Sequence, residues 1–234
     1  MKPLFRLIII LVIINLNACT KEEKKISTIK KIDQRQELVS AYEEGIKYLD
    51  EGDAFYAAKK FLEAELLYPQ SDWAPRSALM AAYSFYIQDY HSEAIFNLER
   101  FIETYPKDHR MDYVHYLLGL CYYENIEGEK KDLQPLIIAL KEFNFVIENY
   151  PSTDFALDAK FKIGLINDVL ASKEMYLGRH YIKKEKWIPA INRFKNILNN
   201  YETTIYTEEA IHRLVEIHYK IGLELEAKKY ASLL

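Results

Sequence analysis

The chain has 234 residues, a formal net charge of −4 and a hydrophobic fraction of 50%. With only seven Gly and seven Pro, its composition argues against a sandwich or barrel of short strands and favours an all-α fold. The acidic balance excludes the basic surface on which nucleic-acid-binding proteins depend, so no nucleic-acid partner is expected.

The N-terminal segment, residues 1–18, has the pattern of a secretory signal peptide. Lys2 and Arg6 precede an uninterrupted apolar run over residues 7–14. A membrane-spanning helix needs about 20 apolar residues, so this run is too short for one but suits the core of a signal peptide. The alternative interpretation is an uncleaved N-terminal anchor.

The residues Leu16-Asn17-Ala18-Cys19 resemble the lipobox of bacterial lipoproteins. The resemblance implies that the signal peptide is cleaved before Cys19, that Cys19 is acylated, and that Thr20 favours the outer membrane as the destination. Two or more acyl chains anchor a protein durably where a single chain does not. The stretch that follows is rich in Lys, Glu, Ser and Thr, and it predicts a solvated tether, so that Cys19 and the tether together occupy residues 19–36.

From residue 37 onward, the sequence contains repeated matches to the 34-residue pattern of a tetratricopeptide helix–turn–helix unit. Four units can be numbered from Leu38, Pro75, Asp112 and Ala171, with an insertion at residues 125–132 left out of the third. Position 8 is then always small: Gly45, Ala82, Gly119 and Gly178. Position 20 is always Ala: Ala57, Ala94, Ala139 and Ala190. Position 24 is always bulky: Phe61, Leu98, Phe143 and Phe194. Position 32 is Pro in three units (Pro69, Pro106 and Pro151) and Glu202 in the fourth.

These positions predict a superhelix of about five helix–turn–helix units, because small residues let two helices approach and bulky residues fill the remaining space. The fifth unit, at about residues 207–232, is degenerate. One long helix is expected from about Asp154 to Lys183, which makes the first helix of the fourth unit over-long. We expect it to divide an N-terminal lobe (37–151) from a C-terminal lobe (152–234). A generic helix bundle with accidental matches is the alternative.

The combination of lipobox, short tether, five repeats, insertion in the third unit and long helix before the fourth resembles the BamD (YfiO) family of outer-membrane protein assembly lipoproteins. Residues 112–120 resemble that family's third-repeat opening, and residues 190–194 its fourth-repeat second helix. The resemblance covers residues 37–232. Another periplasmic repeat lipoprotein, such as an adaptor for cell-wall enzymes, is the alternative that the sequence leaves open.

The resemblance implies a scaffold at the periplasmic face of the outer membrane, attached to the membrane by its lipid. It implies that the C-terminal lobe docks a POTRA domain of BamA, the barrel-forming partner. It also implies that the N-terminal lobe engages the C-terminal targeting segments of unfolded outer-membrane proteins. Other assembly lipoproteins are further partners that it suggests.

Helix positions 2, 5, 9 and 12 of such repeats face the concave side, where we expect a groove for the targeting segment. An aromatic groove with an arginine suits a peptide that is rich in aromatic residues and ends in a carboxylate. The alternative is that neighbouring helices fill the groove and the tyrosines belong to the core. The candidate residues, including two aromatic residues at the turn after the first unit, are Tyr42, Tyr68, Trp73, Arg76, Tyr83, Tyr86, Tyr113, Tyr116 and Tyr123.

Arg193 is the candidate for docking BamA, because the resemblance implies that an arginine at this place faces BamA. The alternative is a solvated arginine paired with an acidic residue.

The six His lack the spacing of a helical zinc site, and the chain contains no nucleophile elbow or phosphate-binding loop. We therefore expect no catalytic residue, no metal and no cofactor, and thus a protein that is not an enzyme.

Overall fold

A computed structural model describes residues 26–124 and 132–234, with side chains described from residue 35 onward. The predicted signal peptide, the lipidation site Cys19 and residues 125–131 of the predicted insertion lie outside the described residues. Among the described residues, no helix is both long enough and apolar enough to span a membrane.

The described chain is a succession of α-helices joined by short turns, which confirms the all-α prediction. The two helices of the first, third, fourth and fifth units pack against each other, and the predicted long helix has the expected ends. The helices are α1 (Ile26–Asp50), α2 (Ala54–Leu67), α3 (Trp73–Tyr86), α4 (His91–Thr104), α5 (Met111–Glu124), α6 (Gln134–Asn149), α7 (Asp154–Lys183), α8 (Trp187–Asn200), α9 (Thr207–Lys220) and α10 (Glu224–Ala231).

Helix α1 begins at Ile26, inside the stretch over 19–36 that the composition predicts to be a tether. The physical reason is that Lys, Gln and Arg are good helix formers as well as good solvated residues. Composition alone therefore does not separate a polar tether from the polar first turns of a helix.

The helices divide into two compact units, one ending at Ser77 and the other beginning at Ala78, so that α3 contributes to both. In the first unit, α1 packs against α2. In the second unit, α5 packs against α4 and α6, α7 against α6 and α8, and α9 against α8 and α10. The lobe boundary between residues 151 and 152, and the assembly of all repeats into one superhelix, stay predictions.

Three of the helices that end a repeat stop in the same way, at a Tyr followed by Pro. Tyr68, Tyr105 and Tyr150 have φ between −146° and −124° and ψ between 50° and 72°, outside the helical region. Proline disfavours helical geometry in the residue before it, which explains the shared stop. Tyr201 has similar angles (φ −137°, ψ 36°) although Glu202 follows it, so the fourth unit ends its helix without the proline.

The two helices of a repeat are held together by a glycine on the first that lies against a phenylalanine ring on the second. A Cβ atom built on Gly45 or Gly119 would lie 2.7 Å from the ring of Phe61 or Phe143 respectively, and one built on Gly178 would lie 2.5 Å from Phe194. Carbon atoms pack no closer than about 3.5 Å, so only glycine fits at these points. All three phenylalanines are fully buried.

The second repeat uses a different pair at the same two positions. Ala82 and Leu98 replace the glycine and the phenylalanine, and both are fully buried. The methyl group that alanine adds is matched by a smaller side chain at the other position. The pair as a whole, and not either residue alone, is therefore what the repeat specifies.

We expect Gly119→Ala to lower the free energy of unfolding by about 1–3 kcal/mol, because its methyl group overpacks the space against Phe143. The double variant Gly119→Ala/Phe143→Leu, which copies the second repeat, should lose less than the sum of the two single variants. Urea unfolding followed by circular dichroism measures both effects. Gly164→Ala, with no heavy atom within 4 Å of the new Cβ, is the control and should cause no loss. Strictly additive losses would contradict the pairing.

Candidate functional site

The first compact unit contains a cavity of about 1010 Å³ between α1 and the turn that follows α2. Two residues predicted from the sequence, Tyr68 and Trp73, line it. Tyr68 is 40% exposed, so its ring is available to a ligand. The wall is amphipathic, because apolar side chains alternate with polar and charged ones: Arg35, Gln36, Leu38, Val39, Ser40, Glu43, Tyr68, Gln70, Ser71, Asp72 and Trp73.

Arg76 is held beside this cavity by two aromatic rings. Its guanidinium carbon lies 5.5 Å from the ring centre of Tyr42 and 5.4 Å from that of Trp73. Among the residues that the structure describes, Arg76 has no carboxylate partner. Its N–H donors are therefore oriented by the rings and remain available for an anion.

Tyr42 supports Arg76 and does not line the cavity. Its ring makes edge contacts with Phe61, at 5.1 Å between ring centres, and with Trp73, at 5.2 Å. Only 9% of Tyr42 is exposed, so it belongs to the core of the first unit. Its effect on a ligand would be exerted through the position of Trp73 and Arg76.

The candidate tyrosines of the second unit are half-buried, and two of them are hydrogen-bonded to acidic side chains. The hydroxyl of Tyr116 donates to Asp158 Oδ2 at 2.6 Å, and that of Tyr86 donates to Glu124 Oε1 at 3.2 Å. Lys162 Nζ lies 5.2 Å from the ring centre of Tyr123. These three tyrosines already have polar contacts within the chain, so their rings and hydroxyl groups are less available to a ligand.

Helix α7 supplies much of this environment. Phe155 on α7 lies 5.2 Å, between ring centres, from both Tyr113 and Tyr116 on α5. Asp158 and Lys162, one and two turns further along α7, contact Tyr116 and Tyr123. Within the second unit, a neighbouring helix thus occupies part of the space that the predicted groove would need, and the role of its tyrosines stays a prediction.

The pKa values of the phenols in this tyrosine group lie above the ordinary range, so their hydroxyl groups stay protonated to higher pH. Burial raises the pKa of Tyr113 to about 12, with a smaller contribution from Tyr83. Burial and the hydrogen bond to Asp158 raise the pKa of Tyr116, and burial and the charge of Glu124 raise that of Tyr86. Tyr116 and Tyr86 therefore keep the protons that they donate to Asp158 and Glu124 into the alkaline range.

Arg193 lies on α8 at the edge of a smaller pocket in the second unit. Its Nη1 atom is 3.1 Å from Glu174 Oε1 on α7. The Arg193 side chain is 40% exposed, whereas that of Glu174 is 14% exposed. An ion pair that is open to water on one side contributes little to stability. A partner can therefore compete with Glu174 for the guanidinium at little cost. The pocket of about 340 Å³ is lined by Glu174, Tyr181, Ile188, Pro189, Asn192, Arg193 and Asn196.

Some residues of these sites could not be found from the sequence pattern. Arg35 and Gln36 line the cavity but lie in the stretch that the composition predicts to be a tether. Glu174 precedes the buried Met175 on α7, and the repeat positions do not single it out. The continuation of helix formers upstream of residue 37 is the signal that could have included Arg35.

Consecutive α-helices that pack in pairs through Gly–Phe contacts define a protein of the tetratricopeptide-repeat type. A family model described as "YfiO: Outer membrane lipoprotein" matches residues 34–233. The chain therefore belongs to this family of outer membrane lipoproteins.

Curated relatives agree with this assignment. The chain is 37% identical over 233 residues to a protein of Caulobacter vibrioides named outer membrane protein assembly factor BamD, covering 100% of this chain and 75% of that relative. It is 39% identical over 197 residues to the protein of the same name from Rickettsia prowazekii, covering 84% and 78% respectively. A solved structure titled MamA matches at 17% identity and a TM-score of 0.39 over 83% of this chain and 88% of that one. That likeness is too distant to support a conclusion.

We expect alkaline pH to destabilise the protein partly through Tyr113. Its pKa is raised in the folded state to about 12, so the unfolded chain loses this proton first as the pH rises above 10, and stability falls between pH 10 and 12. Tyr113→Phe removes this contribution. Urea unfolding at pH 8 and pH 11 should therefore show a smaller loss for Tyr113→Phe than for the unmodified protein.

Tyr219→Phe is the matched control, because this ring is 70% exposed on α9. The stability that Tyr219→Phe loses between pH 8 and pH 11 should equal the stability that the unmodified protein loses. If Tyr113→Phe also loses as much stability between these pH values as the unmodified protein, the prediction is wrong.

Proposed function

We propose that this chain is the lipid-anchored scaffold of an outer-membrane β-barrel assembly machinery. Cys19 would attach it to the periplasmic face of the outer membrane, and the helical repeats would bind protein partners without catalysing a reaction. The name of the curated relatives, outer membrane protein assembly factor, supports this role. Its partners would be BamA-type POTRA domains and unfolded outer-membrane proteins.

The observation that carries the proposal is Arg76, held over Tyr42 and Trp73 beside an amphipathic cavity. A targeting segment of an unfolded barrel protein would bring aromatic side chains and a terminal carboxylate. The aromatic side chain would pack against Tyr68 and Trp73, and the carboxylate would accept hydrogen bonds from the guanidinium. Because Arg76 is already oriented by the two rings, little side-chain entropy would be lost on binding.

We expect the protein to bind a synthetic peptide with a free C-terminal Phe carboxylate about tenfold more tightly than the same peptide with an amidated end. A hydrogen bond to a charged group contributes about 1.5–3 kcal/mol, which is tenfold or more in affinity. Arg76→Gln should remove this preference. Fluorescence anisotropy with both peptides measures it.

Lys59→Gln is the matched control, because Lys59 also lies over a tyrosine ring in the same unit, at 5.9 Å from the centre of Tyr56. Tyr56 does not line the cavity, whereas Trp73, over which Arg76 lies, does. It should keep the preference for the free carboxylate. Equal binding of acid and amide by the unmodified protein would exclude the proposed role of Arg76.

The pocket around Arg193 is the proposed docking surface for BamA. Two features support it. Arg193 keeps donors free beside Glu174, and Ile188, which also lines the pocket, is 63% exposed. An arginine next to an exposed apolar side chain is the composition that protein interfaces favour.

We expect Arg193→Glu to weaken association with purified BamA-type POTRA domains by about tenfold or more, because it reverses a charge in the interface and leaves it beside Glu174. Lys195→Glu, the same charge change on an exposed residue of α8 outside the pocket, should have little effect. Calorimetry with the full-length protein measures both. If the unmodified protein binds no POTRA domain and instead recovers cell-wall enzymes from solubilised membranes, the assembly role fails and an adaptor role replaces it.

A further inference from the structure

One face of helix α7 is covered along its C-terminal half and open along its N-terminal half. Ala171, Met175 and Gly178 are buried on this face, and a Cβ on Gly178 would lie 2.5 Å from Phe194 of α8. Leu157 and Phe161 continue the same face toward the N-terminus but are 71% and 64% exposed.

The open and covered halves form one continuous seam with alternating spacings of four and three residues. This is the spacing at which side chains stay on one side of a helix and pack against a second helix. Seven residues lie on the seam: Leu157, Phe161, Gly164, Asp168, Ala171, Met175 and Gly178.

The lengths of the two helices explain why half of the seam is open. Helix α7 has 30 residues and α8 has 14, and α8 runs back along α7 after a short turn. At about 1.5 Å per residue, α8 covers roughly 21 Å of the 45 Å of α7. It therefore ends near Ala171, and the part of the seam N-terminal to that residue is not covered by α8.

Gly164 is the second observation that marks the open half as an interface. It is an exposed glycine in the interior of a helix, where glycine is less stable than alanine. A Cβ atom at Gly164 would meet no heavy atom within 4 Å, so packing among the residues that the structure describes does not require glycine there. Gly164 nevertheless occupies the same place on the seam, two heptads earlier, as Gly178, which receives the ring of Phe194.

We propose that the open half of the seam binds an amphipathic α-helix from a partner protein. That helix lies along Leu157, Phe161 and Gly164 as α8 lies along Ala171, Met175 and Gly178, and it presents a bulky apolar side chain to Gly164. The continuity with the α7–α8 contact specifies a helix, since an extended segment would not follow a four–three spacing. The proposal does not depend on Arg76 or Arg193.

The test uses the full-length protein in its native outer membrane, with Phe161 replaced by the photo-crosslinker p-benzoylphenylalanine. Peptide mass spectrometry of the adduct should map it to a helix of another protein, next to a large apolar residue on that helix's apolar face. In the same protein, Gly164→Leu should lower the adduct yield by at least about tenfold, because it fills the space that the partner's side chain needs.

Two controls separate this effect from misfolding. The melting temperature of purified Gly164→Leu should be unchanged or higher, since leucine is a better helix former than glycine and meets no neighbour. The same crosslinker at Phe96, which is 67% exposed on α4, should give a yield that Gly164→Leu does not alter. The proposal is overturned by the absence of a protein adduct at Phe161, by an adduct to a second copy of this chain or to an extended segment, or by a yield that Gly164→Leu leaves unchanged.

Discussion

The contact between a glycine on one helix and a phenylalanine ring on the next is the interaction on which the rest of this structure depends. It lets the two helices of a repeat approach so closely that no Cβ atom fits between them at Gly45, Gly119 or Gly178. The facing rings are fully buried, so each contact also forms the centre of its repeat's core. Tyr68 ends the helix that carries Phe61, and Arg193 precedes Phe194, so both lie on helices that these contacts pack.

The repeat pattern predicted the packing residues because they obey a short and regular spacing. Position 8 and position 24 were identifiable from size alone, and the ends of α7 followed from helical period and the lack of Pro. The geometry of the candidate sites was not predictable in the same way. That Arg76 lies over two rings, or that Glu174 pairs with Arg193, depends on side chains brought together from separate helices, and no local spacing encodes it.

Tyrosine shows how one residue type takes different roles in the two compact units. In the first unit, Tyr68 is open to solvent at a cavity, whereas Tyr42 is buried and orients an arginine. In the second unit, the hydroxyl of Tyr116 is bound to Asp158 and its ring packs on Phe155. The predicted tyrosine-rich surface is therefore partly an exposed wall of a cavity and partly a layer of polar packing between helices.

The alanine and leucine of the second repeat show that the order of two substitutions matters at the paired positions. A repeat that starts from glycine and phenylalanine can lose ring volume first, which leaves a small void that the core tolerates, and can then gain the methyl group that fills it. The opposite order passes through an intermediate in which a methyl group and a full ring compete for the same space. The two orders of substitution that lead to the pair Ala82 and Leu98 therefore differ in kind, because one passes through a cavity and the other through a clash.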